Sequence, residues 1–269
     1  MIGRQRSTIG DSRWLEKLAM ILAPGIVLVL VLLTWQWLVW AREIPKFILP
    51  SPRDIALATW SDGARLWAAT LRTGSAAIAG LGISVGAGFL LASVLGQARW
   101  IRNSFMPYVL VFQTIPIIGV APLLITWFGN TFSTVMLIAA FISIFPIISN
   151  TTTGMVAVDS SHLDLFHLNR ASRWQIYRYL QVPTALPYFS AGIRIAAAAC
   201  VLGACVGDYF VGTAQQEGLG FLVFQAKDRN AGLMFATLFV LTLMGFLFYL
   251  TANLVCRLVL LRWEDHRLG

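Results

Sequence analysis

Charge is what this sequence has least of. Asp, Glu, Lys and Arg make up 12% of its 269 residues, against about 25% in a soluble globular domain. Apolar residues make up 58%, and mean hydropathy is +0.73. An ordinary water-soluble domain is excluded. Cysteine is scarce too. Cys200, Cys205 and Cys256 fall inside apolar runs, with no C-x-x-C spacing and no paired His. They read as small core residues and offer neither a disulfide framework nor a zinc site. His162 and His167 are five positions apart and do not share a helix face, so no metal ligands are assigned. There is no G-x-x-x-x-G-K-[ST] phosphate loop, because Gly218-Leu219-Gly220 has no following GK. No Ser/His/Asp set and no paired carboxylates stand out, so no catalytic residues are assigned.

Acidic residues are outnumbered 12 to 20, for a net charge of +8. In a soluble chain that balance would raise nucleic acid as a partner. Here the basic residues sit mostly in loops between apolar runs, the pattern of the positive-inside rule, and nucleic acid is set aside. The partner implied instead is the lipid bilayer.

Six apolar runs lie between those loops, at about 19–40, 70–96, 104–128, 132–158, 187–212 and 233–258. Each can cross a bilayer, which takes about 20 residues. Helices are expected, because lipid gives backbone N–H and C=O groups no partner. The fold class is an all-α membrane protein of about six transmembrane helices. The basic start, MIGRQRSTIGDSRWLEKL, is similar to a signal peptide, but the run behind it is long and no small-x-small cleavage site follows, so it reads as a retained span. Within the third run, the Pro116–Pro122 pair leaves one span or two short helices open. In the second run, Gly82 and Gly86 form a G-x-x-x-G pair, with Gly80 and Gly88 beside it, and close helix packing is expected there.

With the N-terminus inside, twelve Lys and Arg residues fall in the segments 1–18, 97–103, 159–186 and the tail from 257, against seven outside. Arg194 lies within a span. The bias gives cytoplasmic N- and C-termini. Outside, Ser51-Pro52-Arg53-Asp54 has the residues of a helix start, and Ile55, Leu57 and Trp60 follow, so a short helix lying in the outer interface is expected. Inside, Ser161 and Asp164 suggest a capping box. Leu163, Phe166, Arg170, Trp174 and Tyr177 then recur at spacings of three and four. A short amphipathic, basic and aromatic helix is expected there, ended by Pro183, with Pro187 opening the fifth span. It could lie on anionic headgroups or dock a cytoplasmic partner.

The segment HLNRASRWQIYRYLQVPTALPYFSAGIRIA resembles the EAA loop of the membrane subunits of binding-protein-dependent ABC importers. The branch that imports sulfonates, taurine, nitrate and pyrimidine precursors is the most similar. Ala171, Ser172, Arg173, Trp174 and Gln175 are kept, as are Pro183, Ala185, Leu186, Pro187, Gly192, Arg194 and Ile195. FILPSPRDI, TWFGN, IFPIISN and EGLGFLVFQA extend the resemblance over about residues 45–260. The departures are Asp164 for Glu, Leu165 and Phe166 for the two Ala, and Arg170 for the loop Gly. Only Gly takes φ > 0 freely.

The resemblance implies a type I permease fold in a bacterial-type inner membrane. It divides the chain into a cytoplasmic segment 1–18, a transmembrane permease domain 19–258 with the coupling loop 159–186, and a cytoplasmic tail 259–269. It implies as partners separate cytoplasmic ATPase subunits, an extracytoplasmic solute-binding protein and a second permease copy. ATP and Mg would be bound by the ATPase subunits, with no cofactor in this chain. Asp164, Phe166, Leu168, Arg170, Ala171, Ser172, Arg173, Trp174 and Pro183 are the expected ATPase-coupling residues. The solute implied is a small anion or a pyrimidine-like nutrient.

Polar groups in spans tend to face a cavity, a partner or another helix. The pathway or gate candidates are Gln113, Thr114, Asn150, Thr151, Arg194 and Asp208. Arg194 and Asp208 are about 21 Å apart along a helix, too far to pair. Asp208 suits a structural or gating role. Arg194 is expected near the cytoplasmic end, within reach of the interface. The competing reading is a self-sufficient secondary transporter, which needs two similar halves, and no repeat is evident. A membrane-embedded enzyme comes third.

Overall fold

A computed structural model describes the backbone of residues 8–268, with side-chain surroundings from residue 22 to 261 apart from Pro24. The basic start of the chain and the last basic residues of the tail, on which the inside charge bias partly rests, lie outside the described side chains.

The described chain is built of helices: α1 (Thr8–Ala41), α2 (Pro52–Ser61), α3 (Gly63–Gln97), α4 (Arg99–Thr114), α5 (Ile117–Phe128), α6 (Phe132–Val156), α7 (Ser160–Leu168), α8 (Arg173–Ile176), a π turn (Tyr177–Gln181), α9 (Val182–Val211), α10 (Leu219–Ala226) and α11 (Ala231–Leu268). Among the described residues, the β pairing is one isolated bridge between Thr213 and Gln216. Four stretches are long and apolar enough to cross a membrane: Gly63–Gln97, Phe132–Val156, Arg173–Val211 and Ala231–Leu261. The third expected span is a broken pair. The helices α4 and α5 meet at 94°, so with them the count is at most five. Pro116 lacks the N–H that would continue α4, and it caps α5 instead. The first expected span appears as a shorter apolar stretch, Gly25–Ala41. The expected six is reached only if that stretch is counted.

The core is where α6 packs along α9 and α3. It is made of small side chains: Ala69, Ala76, Ala77, Ala139, Cys200 and Ala204 are all buried. Small residues let backbones approach, which is how helices gain contact where lipid removes the hydrophobic drive. On α3 the stripe in use is Gly80, Ser84, Gly88, Ala92 and Gly96, all buried. A Cβ on Gly80 would meet Ala139, and one on Gly88 would meet Ile147. The expected Gly82–Gly86 pair faces open space instead. The four-residue spacing was read correctly, but in the wrong register, because small residues lie on both faces of α3. Large apolar residues such as Leu90, Phe239 and Phe246 point outward, as a lipid-facing surface requires.

The short helix α2 starts as expected. Ser51 Oγ accepts from the Asp54 N–H at 3.2 Å, and the Ser51 N–H donates back to Asp54 at 3.3 Å. Lys46 donates to the Asp54 carboxylate at 2.8 Å, and this bond holds that carboxyl below the usual carboxylate range.

Candidate functional site

Two polar constellations stand at the two ends of α9. The first is the turn between α7 and α8. Helix α7 is capped by Asp159, whose side chain accepts from the Ser161 N–H at 2.9 Å. The expected Ser161–Asp164 capping box is therefore not the one formed. At the other end of α7, the Arg170 N–H donates to the His167 carbonyl and the Ala171 N–H to the Phe166 carbonyl, each at 2.9 Å. This bond pair is a Schellman motif, which needs its C′ residue in the left-handed region. That residue is Arg170, at φ 51. The position where the resemblance has Gly thus keeps the backbone shape that Gly would supply. A side chain there costs about 1 kcal/mol.

The chain then restarts as α8 with a capping box of its own. Ser172 Oγ accepts from the Gln175 N–H at 3.3 Å, and the Ser172 N–H donates to Gln175 Oε1 at 2.7 Å. So the expected single helix is two helices with a break between. The apolar spacing ran across the break, and the signals for it were the loop-Gly position held by Arg170 and the capping chemistry of Ser172 and Gln175. Pro183 and Pro187 also act differently from expectation. The π turn leads from α8 straight into α9, Pro183 sits in the first turn of α9, and Pro187 lies inside it. The fifth span is therefore one long helical path, Arg173–Val211.

This turn brings the expected coupling residues together. Asp164, Leu168, Arg170, Ser172, Arg173 and Trp174 are exposed, with Leu168 at 80% and Trp174 at 67%. Phe166, Ala171 and Pro183 are half-buried. A shallow cavity of about 400 Å³ opens among Leu165, Phe166, Asn169, Ala171, Gln175 and Tyr179.

The second constellation surrounds Asp208, which is 1% exposed. Thr73 of α3 donates its hydroxyl to the Asp208 carboxylate at 2.5 Å and accepts from the Leu219 N–H at 2.8 Å. Asp208, α3 and the start of α10 are thereby tied at one point. Gly218 and Gly220 make the fit possible. A Cβ on Gly218 would overlap the Asp208 carboxylate, and one on Gly220 would overlap the Cys205 carbonyl. Further out, Arg65 grips Glu217 through Nε at 2.7 Å and Nη2 at 2.6 Å, and also donates to Gln225. Arg72 donates to Gln216 at 2.7 Å. Sequence reading singled out Asp208 but missed Thr73, Arg65 and Glu217. The available signal was the spacing of Arg65, Ala69 and Thr73 along one face of α3.

The other pathway candidates do not gather. Among the described residues, none of the six hydrogen-bonds another. Gln113 and Thr114 are exposed at the bend between α4 and α5, and Thr114 bonds its own helix at Val111. Asn150 donates to the Pro146 carbonyl at 2.8 Å. The Thr151 hydroxyl is buried without a partner among the described residues. Arg194 lies about 18 Å along α9 from its start, well away from the helix end. It donates to the Ser190 carbonyl at 3.3 Å and to Asn253 of α11 at 3.2 Å. Because α9 begins earlier than expected, Arg194 lies further from the start of its helix than expected, and it is satisfied by a neighbouring helix.

Long apolar helices around a small-residue core, with a broken pair beside them, define a multi-pass membrane protein. The chain belongs to the family described as binding-protein-dependent transport system inner membrane component, which it matches over residues 84–263. It is 35% identical over 242 residues to the riboflavin transport system permease protein RibX of Chloroflexus aurantiacus, covering 89% of each chain. It is 31% identical to the formylaminopyrimidine transport permease protein ThiX of Halalkalibacterium halodurans, covering 84% of this chain and 90% of that one. It is 25% identical to the putative aliphatic sulfonates transport permease protein SsuC of Escherichia coli, covering 94% of each. The resemblance to importer permeases is borne out, and with it the reading of a membrane transport permease.

Proposed function

We propose that this chain forms the solute pathway of an ATP-driven importer and docks separate cytoplasmic ATPase subunits through residues 160–183. The observation that carries the reading is the turn at Arg170. Its Schellman motif and the Ser172–Gln175 box hold the backbone rigid while leaving Leu168, Arg170, Arg173 and Trp174 exposed. Arg and aromatic residues are the side chains that dominate protein interfaces. A rigid element seated in a partner can drive a rocking motion of the helices it leads into. The reading includes a second permease copy, an extracytoplasmic solute-binding protein, ATP and Mg bound by the ATPase, and an inner-membrane location with both termini cytoplasmic. The bias of basic residues supports that orientation. Asp208 acts as a structural or gating residue at the outer end.

For the solute, a pyrimidine- or flavin-like nutrient is better supported than a sulfonate, because the relatives named for riboflavin and formylaminopyrimidine are more similar than the one named for sulfonates. The docking reading is tested by co-purification. The Arg173→Glu plus Trp174→Ala variant inserts in the membrane but loses its ATPase, and undiminished ATPase recovery overturns the reading. Uptake of labelled riboflavin, formylaminopyrimidine and an alkanesulfonate by the assembled system tests the solute. Uptake of the sulfonate alone overturns that assignment.

A further inference from the structure

We propose that Tyr177 is a positioning residue that carries movement of the docking turn into α3, with its hydroxyl on Ser93 as the joint. The inference rests on the docking reading and adds a route to it. Residues 160–183 join α6 before them and α9 after them by covalent continuity, and have no such link to α3. The bond from the turn to α3 is a side-chain one: Tyr177 Oη donates to Ser93 Oγ at 2.9 Å, across 84 positions of sequence. The direction is settled, because the Ser93 hydroxyl spends its own proton on the Phe89 carbonyl at 2.8 Å.

Three further features place this bond on a mechanical path. Trp174, exposed on the docking surface, lies against Tyr177 with ring centroids 5.4 Å apart. Beyond Ser93, Phe89 meets Phe189 of α9 edge-on at 5.2 Å, so the joint sits where α3 and α9 already touch. The π turn begins at Tyr177 itself, and the Val182 N–H reaches back to the Tyr177 carbonyl. A π turn holds one residue more than an α turn, and such turns recur at functional sites. Its return to α geometry rotates α8 by about 100° relative to α9. The Tyr177 hydroxyl on Ser93 carries such a rotation to a second helix, α3.

The test uses the permease reconstituted in vesicles with its ATPase and binding protein. It reads solute taken up per ATP hydrolysed, and ATPase retained on purification. Tyr177→Phe and Ser93→Ala each remove one hydroxyl and leave the packing. Each lowers the uptake ratio by about fivefold, the factor one ordinary hydrogen bond is worth, with ATPase retention unchanged. The double variant is no worse than either single one, because one shared bond is lost. An unchanged ratio in Tyr177→Phe overturns the proposal, and so does a double variant whose loss is the product of the two. A merely structural bond would lower retention together with the ratio, which also overturns it. The docking reading fails separately, when the Arg173→Glu plus Trp174→Ala variant keeps its ATPase, and the joint then falls with it.

Discussion

The two ends of α9, about 45 Å apart, are built on opposite plans. At the Arg170 end the hydrogen bonds that shape the turn join residues three to five positions apart, and the side chains stay outside. At the Asp208 end the bonds join residues 135, 146 and 152 positions apart, and Asp208, Thr73 and Leu219 are all but fully buried. A surface offered to a partner must hold its backbone while leaving its large side chains free, and local caps do that. A closure between helices must spend its side chains on distant elements. The difference separates the turn proposed to dock a partner from a clasp, and it says where each is vulnerable.

The largest effect is expected at the clasp. Gly220→Val drives a side chain into the Cys205 carbonyl and costs more than about 4 kcal/mol, read as loss of folded protein after detergent extraction. Thr73→Val leaves the Asp208 carboxylate and the Leu219 N–H buried without their hydroxyl and costs about 3 kcal/mol, while Thr73→Ser keeps most of that stability. Thermal unfolding in detergent reads both. The turn responds the other way. Arg170→Gly relieves the left-handed strain and stabilises by up to about 1 kcal/mol, with ATPase recovery reduced only if the Arg170 side chain is itself a contact.

The smallest effect is at α2. The Asp54 carboxyl is held below its ordinary range by Lys46 and then by Ser51. Its contribution is therefore present above a pH of about 4 and is lost as pH falls through the lowered folded value. Fluorescence of the exposed Trp60, followed from pH 6 downward to about 3, changes there in the wild type and not in Asp54→Asn.

The same contrast explains what could be read from sequence. The helical membrane fold was legible because apolar runs report burial in lipid directly. Family membership was legible from Ala171–Gln175 and Pro183–Pro187. The Ser51–Asp54 cap was legible because its partners are three positions apart. The break at Arg170 was not, since the apolar spacing passes through it and an Arg does not advertise φ > 0. The clasp was half legible. An acid inside an apolar run draws notice to Asp208, but nothing local to Thr73 says which carboxylate it will meet. The Gly82–Gly86 pair misled because a four-residue spacing names no helix face.

The central claim is that the Arg170 turn faces the cytoplasm and seats an ATPase. Its most direct measurement is membrane-impermeant maleimide labelling of a cysteine at the exposed Leu168 position, with Cys200, Cys205 and Cys256 replaced by Ala, in vesicles of known orientation. The account predicts labelling from the cytoplasmic side alone, and protection when the ATPase is bound. Labelling from the outer side, or equal labelling with and without the ATPase, contradicts it.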